Sequence, residues 1–256
     1  KRNVEKPFFL NVWFHEPHSP IATDSRFQSL YGDHENSKYM GNISQLDHAL
    51  GMVMEALEEE GLSDDTWLFF TSDNGPVPAF GGTTGGLRGN KRSEYEGGIR
   101  VPGLVRWPGR VKAGSVSDVP VIGTDVFATV LDMVGLPQPT DRTIDGVSML
   151  PALAGEPIER EIPLFWRTHV SHPDQRVALR IGDWKIVGDE FLEKFQLYEV
   201  HKDWQEQNDL AEQMPEKTAE MKNALLEVWA GIVAEGPNEW WEADTQKSRM
   251  GGKMSY

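Results

Sequence analysis

The sequence predicts an α/β protein: a mostly parallel sheet sandwiched by helices, then a small antiparallel sheet with one helix. Three observations carry this. Phe8–Phe14 is a continuous apolar run, the pattern of a strand covered on both faces. Asn42–Leu62 spaces Ile43, Leu46, Leu50, Val53 and Leu57 three or four apart, an amphipathic helix stopped by Gly61. Trp67–Thr71 is a second apolar run, led in by Asp64-Asp65-Thr66, so the order strand, helix, strand is that of a βαβ unit.

The remaining elements follow in order. Pro17 and Pro20 force an extended loop through His15-Glu16-Pro17-His18-Ser19-Pro20. Val77–Arg100 is a loop with seven glycines, a length that in a compact domain is functional or disordered. Val101–Trp107 reads as a strand and Asp125–Val134 as a helix closed by Gly135 and Pro137. Ser148–Leu153 is a short helix, and Gly155-Glu156-Pro157 divides the chain into modules 1–155 and 156–256. Beyond it, Leu164–Thr168, Arg176–Ile181, Asp183–Val187 and Phe195–Val200 are short strands between turn residues, hence an antiparallel sheet. Pro215–Ala234 is a helix with Met221, Leu225, Val228 and Trp229 on one face. In the aperiodic tail, Trp240-Trp241 offers either a sugar-stacking surface or a cap on the fold.

Composition excludes several function classes. Twenty-five Lys+Arg against forty Asp+Glu gives a net charge of −15, which opposes broad affinity for nucleic acid or anionic membrane. Residues 189–244 carry a net −11, whereas 88–112 carry a net +5 through Arg88, Lys91, Arg92, Arg100, Arg106, Arg110 and Lys112. Such a basic island fits an anionic small ligand, or simply exposed loop arginines. There is no cysteine, so disulfides, thiolate catalysis and Cys-type zinc sites are excluded. The apolar runs are strand-sized, far short of the roughly 20 residues of a membrane span. No signal peptide is visible, and the abrupt entry into Phe8–Phe14 sets the expectation that something precedes Lys1.

In open parallel sheets ligands bind beyond the carboxyl ends of strands, where His15–His18 and Asp73–Asn74 both fall. Asp73 and Asn74 offer a carboxylate and an amide carbonyl, hard oxygens suited to Ca²⁺ or Mg²⁺; the alternative is a plain Asn-Gly turn. His15 and His18 fit metal ligation, acid/base work, or one of each; a loop histidine is also commonly just solvated. Lys91 suits an oxyanion as a point charge, or is a surface lysine.

Together the pieces resemble the formylglycine-dependent type I sulfatases of the alkaline-phosphatase superfamily. The resemblance rests on Phe14-His15-Glu16-Pro17-His18-Ser19-Pro20, on Thr71-Ser72-Asp73-Asn74-Gly75, and on Leu87-Arg88-Gly89-Asn90-Lys91 running into Tyr95-Glu96-Gly97-Gly98-Ile99-Arg100-Val101-Pro102. Trp107-Pro108-Gly109, Asp145-Gly146, Gly182-Asp183-Trp184-Lys185, Leu197-Tyr198 and Asn208-Asp209-Leu210-Ala211 extend it over nearly the whole chain. The nearest flavour is the enzymes acting on sulfated sugars, such as the N-acetylgalactosamine-6-sulfatase type. The resemblance implies that Asp73 and Asn74 bind the active-site Ca²⁺ (or Mg²⁺) and that Lys91 holds a sulfate oxygen and the bridging region. It implies that His18 hydrogen-bonds the sulfate or protonates the leaving alcohol, and that His15 contacts the sugar. Arg167, His169 and His172, on the first strand and turn of the small domain, would read the sugar, ordinary surface polarity being the alternative.

The family's nucleophile is a formylglycine made from Cys or Ser in a Cys/Ser-x-Pro-x-Arg motif, and two further Asp metal ligands lie near the family's N-terminus. This chain has no cysteine, and Ser19-Pro20 does not fit the motif. The expectation is a C-terminal portion of a sulfatase, inactive alone, whose partners are a sulfated small molecule or glycan, the missing N-terminal half, and a possible second copy of the chain. Family resemblance implies a periplasmic or secreted setting. Two other readings compete: a phosphodiesterase or phosphonate hydrolase of the same superfamily, and a non-catalytic sulfated-glycan binding module.

Overall fold

The computed structural model describes residues 6–236; Trp240-Trp241 lie outside the described residues. The chain forms two compact units, one of residues 1–66 with 77–83, the other of 67–76 with 84–256. Residues 84–155 and 156–236, on either side of the expected boundary, both belong to the second unit.

The first unit is helical. Asp24 opens α1 (Ser25–Gln28) by accepting the Arg26 N–H at 2.8 Å. A 3-10 turn at Ser29–Tyr31 leads to α2 (Ser37–Glu59). At Gly41 an added Cβ would lie 2.8 Å from the Gln28 Cα, so glycine lets the two helices meet. Helix α2 begins five residues before the apolar period does, because its first turn is held by packing on α1 and not by an apolar stripe. Gly61 (φ +66°) closes it, with Leu62 N–H donating to Leu57 O at 2.7 Å.

The expected mostly parallel sheet is not found among the described residues, nor is the βαβ unit. Residues 8–14 form no strand, and Phe9, Leu10 and Trp13 are 69, 66 and 88 % exposed. In the second unit, β1 (Leu68–Thr71) pairs antiparallel with β2 (Gly103–Arg106), Leu68 opposite Arg106 and Thr71 opposite Gly103. The reason for the difference is physical. An apolar run specifies that a segment should be buried, whereas a ladder also needs a neighbouring backbone in register.

After a one-turn α3 (Glu96–Ile99) and β2 come α4 (Asp125–Met133) and α5 (Leu150–Leu153). Fully buried Asp125 ties this region together. Its carboxylate accepts the N–H groups of Ile122 and Val147 and both ends of the Arg160 fork, at 2.8 and 2.6 Å. Then β3 (Leu164–Arg167), β4 (Val177–Ile181), β5 (Trp184–Gly188) and β6 (Phe195–Glu199) form an antiparallel meander in chain order, followed by α6 (Pro215–Glu235). These elements match the sequence reading to within two residues at each end.

Both faces of the meander are buried, which its period of two allows. Val177, Leu179, Ile186 and Leu197 pack against Met221 and Leu225 of α6. Ala178, Val187 and Tyr198 turn the other way and pack with Tyr95, from the glycine-rich loop. Lys185, two residues before Val187, shares that second face. It is fully buried, its ammonium 2.9 Å from Glu96 Oε1 and 2.8 Å from Glu206 Oε1.

Two outcomes are expected. Lys185→Ala removes the ammonium between two buried carboxylates and should lower the unfolding free energy by roughly 3–5 kcal/mol in urea titrations, whereas Arg142→Ala, which breaks an exposed pair with Asp141, should leave the midpoint unmoved. Exposure of Phe9, Leu10 and Trp13 should make the isolated chain self-associate. Sedimentation velocity checks this, and a monomer that melts cooperatively would contradict it.

Candidate functional site

The candidate residues divide between the units. In the first, Glu16–Pro17 and Ser19–Pro20 are cis, and a turn with His18 N–H donating to His15 O at 2.8 Å brings the two imidazoles together. Their rings meet edge to face with centroids 6.0 Å apart. Both histidines are exposed. His18 Nδ1 lies 2.7 Å from Ser19 O, a carbonyl that can only accept, so Nδ1 carries the proton and neutral His18 presents Nε2 as a lone-pair donor. Gln45 of α2 holds the loop at two points. It donates to Glu16 Oε1 at 2.8 Å and accepts the Asp24 N–H at 2.9 Å.

In the second unit the tip of β1 and the Lys91 loop are joined by backbone. Gly75 N–H donates to Gly98 O at 2.8 Å and Lys91 N–H donates to Pro76 O at 2.9 Å. The contact has no room for a side chain at Gly75, where a Cβ would lie 1.9 Å from Gly97 O. Gly75-Pro76, which follow Asp73-Asn74 directly, are thereby joined to the Lys91 loop. Asn74 donates its amide N–H to the Asp73 carboxylate, which leaves the Asn74 carbonyl oxygen and one carboxylate oxygen as hard donors at an exposed tip. Among the described residues no three His, Asp or Glu side chains gather as a metal cluster.

The rest of the loop is anchored below. Arg88 donates to Tyr198 Oη at 2.8 Å and to Glu206 O at 2.7 Å, its guanidinium stacked 3.9 Å from the Tyr95 ring centroid. Glu96 N–H donates to Glu206 Oε2 at 2.7 Å, and Arg100 lies 3.7 Å from Glu96 Oε2. Part of the basic island is thus internal wiring. Burial raises the Glu206 carboxyl above its ordinary range, opposed by Lys185. Glu94 is buried too and accepts from Ser171 Oγ at 2.9 Å. Desolvation lifts its pKa to about 7, with the Ser171 hydrogen bond and Lys185 pulling the other way.

The three sugar-reading candidates of the small sheet part company. Arg167 is half-buried, its guanidinium 4.0 Å from the Trp229 ring centroid, so it packs against α6. His169 is exposed and its carbonyl accepts from Arg176. His172 caps a 3-10 turn (Pro173–Gln175) through Nδ1, and it alone of the three lines a cleft. Sequence reasoning missed Arg88, Glu96, Lys185 and Glu206 as a connected set. The signal was there: each lies inside or beside a quoted motif, but only the fold shows that the motifs bind one another.

Comparison with known proteins adds an independent line. The sulfatase family profile matches residues 1–136, and that of the C-terminal part of N-sulphoglucosamine sulphohydrolase matches residues 88–230. The chain is 33 % identical over 186 residues to the N-acetylgalactosamine-6-sulfatase of Canis lupus familiaris, covering 71 % of the chain and 34 % of that protein. A solved Bacteroides thetaiotaomicron protein, reported under metabolism of multiple glycosaminoglycans, is similar at 30 % identity and TM-score 0.75, covering 88 % of this chain and 50 % of its own. The crystal structure of Ps i-CgsB is similar at 26 % identity and TM-score 0.77, covering 84 % and 48 %. The chain therefore spans about a third of the curated relative's length and half of the solved ones.

The Glu94 carboxyl generates a pH prediction. A carboxyl that holds its proton more tightly when folded supports stability most at low pH, and that support is lost as pH rises from 4.5 to about 7. Glu94→Gln keeps an acceptor for Ser171 without the charge. Urea titrations from pH 4.5 to 8 should find the variant's stability flatter across this window, and higher than wild type at pH 8 by at most about 3 kcal/mol.

Proposed function

We propose that this chain, which belongs to the sulfatase family, supplies the leaving-group and metal-binding side of a sulfuric ester hydrolase acting on sulfated sugars. The observation that carries the reading is the backbone joint that holds Asp73-Asn74 against the Lys91 loop. Hydrolysis of a sulfate ester builds negative charge on the departing oxygen, so it calls for a fixed cation, a proton donor and oxygen ligands for a metal. Similarity to N-acetylgalactosamine-6-sulfatase and to proteins of glycosaminoglycan metabolism supports a sugar ester as substrate.

In this reading Lys91 pairs with a sulfate oxygen, held in place by its own N–H bond to Pro76 and by the buried anchors beneath the loop. His18, once protonated, gives its Nε2 proton to the leaving alcohol, because the Nδ1 proton is committed to Ser19 O. His15 steadies the His18 ring and contacts the sugar. Asp73 and Asn74 would hold Ca²⁺ or Mg²⁺, a fit supported by their two hard oxygens at an exposed tip. The bound cation supplies Lewis-acid stabilisation of charge on the sulfate. No residue of the chain fits the formylglycine precursor, since it has no cysteine and no Ser-x-Pro-x-Arg motif. The nucleophile, the remaining metal ligands and a periplasmic or secreted location are assigned to an N-terminal half by resemblance to the family.

The test is an enzyme in which this chain follows a segment bearing the nucleophile motif, assayed on a sulfated sugar and on the matching phosphate ester. Lys91→Ala and His18→Ala should each lower kcat by roughly 10²–10⁴, and Asp73→Ala should raise the Ca²⁺ concentration needed for turnover. Preference for the phosphate ester, or turnover by the isolated chain on an aryl sulfate, would overturn the assignment.

A further inference from the structure

Asn74-Gly75 is the single Asn-Gly pair in the sequence, and the proposed hydrolysis makes no use of its own chemistry. An asparagine followed by glycine is open to attack by its own backbone. The glycine nitrogen, once a solvent base takes its proton, adds to the asparagine Cγ, and the Cγ–Nδ2 bond breaks with loss of ammonia. Water then opens the cyclic imide. Addition at the former side-chain carbonyl gives aspartate; addition at the backbone carbonyl gives isoaspartate, whose chain runs through Cβ and Cγ. Glycine favours ring closure because a backbone without Cβ reaches the required conformation freely.

The fold withholds that freedom. Asn74 is half-buried between exposed Asp73 and buried Gly75, so solvent reaches this end of the strand. The nucleophile is what is locked. Gly75 donates its N–H to Gly98 O at 2.8 Å, and a Cβ on it would lie 1.9 Å from Gly97 O. Its φ lies outside the left-handed region, so glycine stands here for close approach and not for turn geometry. The electrophile is tied as well: Asn74 Nδ2 donates to the Asp73 carboxylate, and Ser72 Oγ donates to Asn74 O at 3.2 Å. One residue on, Pro76 O accepts the Lys91 N–H at 2.9 Å. Removing a proton that a carbonyl holds in a buried contact, and turning the nitrogen toward Cγ, both require this joint to open.

We infer that Asn74 is a self-modification site held shut by the Gly75–Gly98 joint, and that conversion to isoaspartate keeps the joint from closing again. Each opening of the contact frees the Gly75 nitrogen to form the imide. The extra backbone atom of isoaspartate then displaces Gly75 along a contact that has no space to take it. Aspartate preserves the backbone spacing and sets a second carboxylate beside Asp73. Water is the co-reactant and ammonia the leaving group; neither the Lys91 side chain nor a bound cation takes part, so this chemistry stands apart from the proposed hydrolase.

The experiment incubates the intact chain, folded and in guanidinium chloride, in the same mildly alkaline buffer. Loss of Asn74 is followed by peptide mass spectrometry, and isoaspartate by enzymatic methylation. Loss should be roughly tenfold or more slower in the folded chain, because it waits on local opening. Hydrogen exchange of the Gly75 amide, compared between the same two states, should be slowed by a factor that agrees with this to within roughly tenfold. Gly98→Ala, whose Cβ would lie 2.0 Å from Ser93 O, should move Asn74 loss toward the unfolded rate. Gly146→Ala, similarly crowded at 2.1 Å from Thr124 O, should not. Where circular dichroism shows either variant unfolded, the two wild-type measurements decide. Chain enriched in isoaspartate should lose protection of the Gly75 amide. Equal loss of Asn74 folded and unfolded would overturn the proposal. So would Gly75 exchange as fast as in denaturant while Asn74 persists, or isoaspartate-bearing chain in which Gly75 stays protected. No turnover is read, so a failed hydrolysis assay leaves these outcomes untouched.

Discussion

A buried ammonium holds the second unit together. Lys185 is charged, fully enclosed, and satisfied only because Glu96 arrives from the glycine-rich loop and Glu206 from the segment after the meander. Removing Lys185 leaves two carboxylates facing each other in a medium that solvates them poorly, so this ammonium is what lets the three segments meet. Glu94 is buried nearby, and desolvation raises its carboxyl to about 7, with the Ser171 hydrogen bond and Lys185 pulling the other way. Glu206 sits at φ +53°, a backbone region that side-chain-bearing residues rarely occupy. Arg88 at its carbonyl, Lys185 at one carboxylate oxygen and the Glu96 N–H at the other hold it there.

From this knot the position of Lys91 follows. The loop cannot slide on the meander, because Arg88, Tyr95 and Glu96 are each fastened to it. Nor can it lift from the tip of β1, because Gly75 packs on Gly97 too closely for any side chain and donates its N–H to Gly98 O. A flexible lysine thereby gains a fixed backbone base, the preorganisation that its proposed oxyanion contact would use. The anchors also shape the cleft next to the meander, where the hydroxyls of Ser93 and Tyr95 hold the side-chain carbonyls of Gln175 and Gln196.

Legibility differed by element for physical reasons. The meander and α6 were readable because alternation and a 3.6-residue stripe are local signals, and Met221 and Leu225 proved as buried as their spacing implied. Helix α2 was readable in its middle but not at its start, where tertiary packing on α1 outweighs periodicity. Residues 8–14 show the limit of an apolar run: it announced burial, yet these residues form no strand, and β1 found its partner antiparallel in β2. The candidates Asp73, Asn74, Lys91 and His18 were named from motif order alone. Arg88, Glu96, Lys185 and Glu206 were not, because a buried charge can be recognised only when its partners are known.

By itself the sequence determined residue chemistry and local form: oxygen ligands at a strand end, imidazoles on a proline-braced loop, glycines where chains must touch, and no cysteine. Only the tertiary structure decided which arginines of the basic island face inward, which carboxylate keeps a proton, and which of Arg167, His169 and His172 lines a cleft. Period and turn chemistry act over a few residues, so a linear reading captures them. Desolvation and charge pairing act between distant segments, as between Glu96 and Lys185, 89 positions apart, and exist only once the chain has folded.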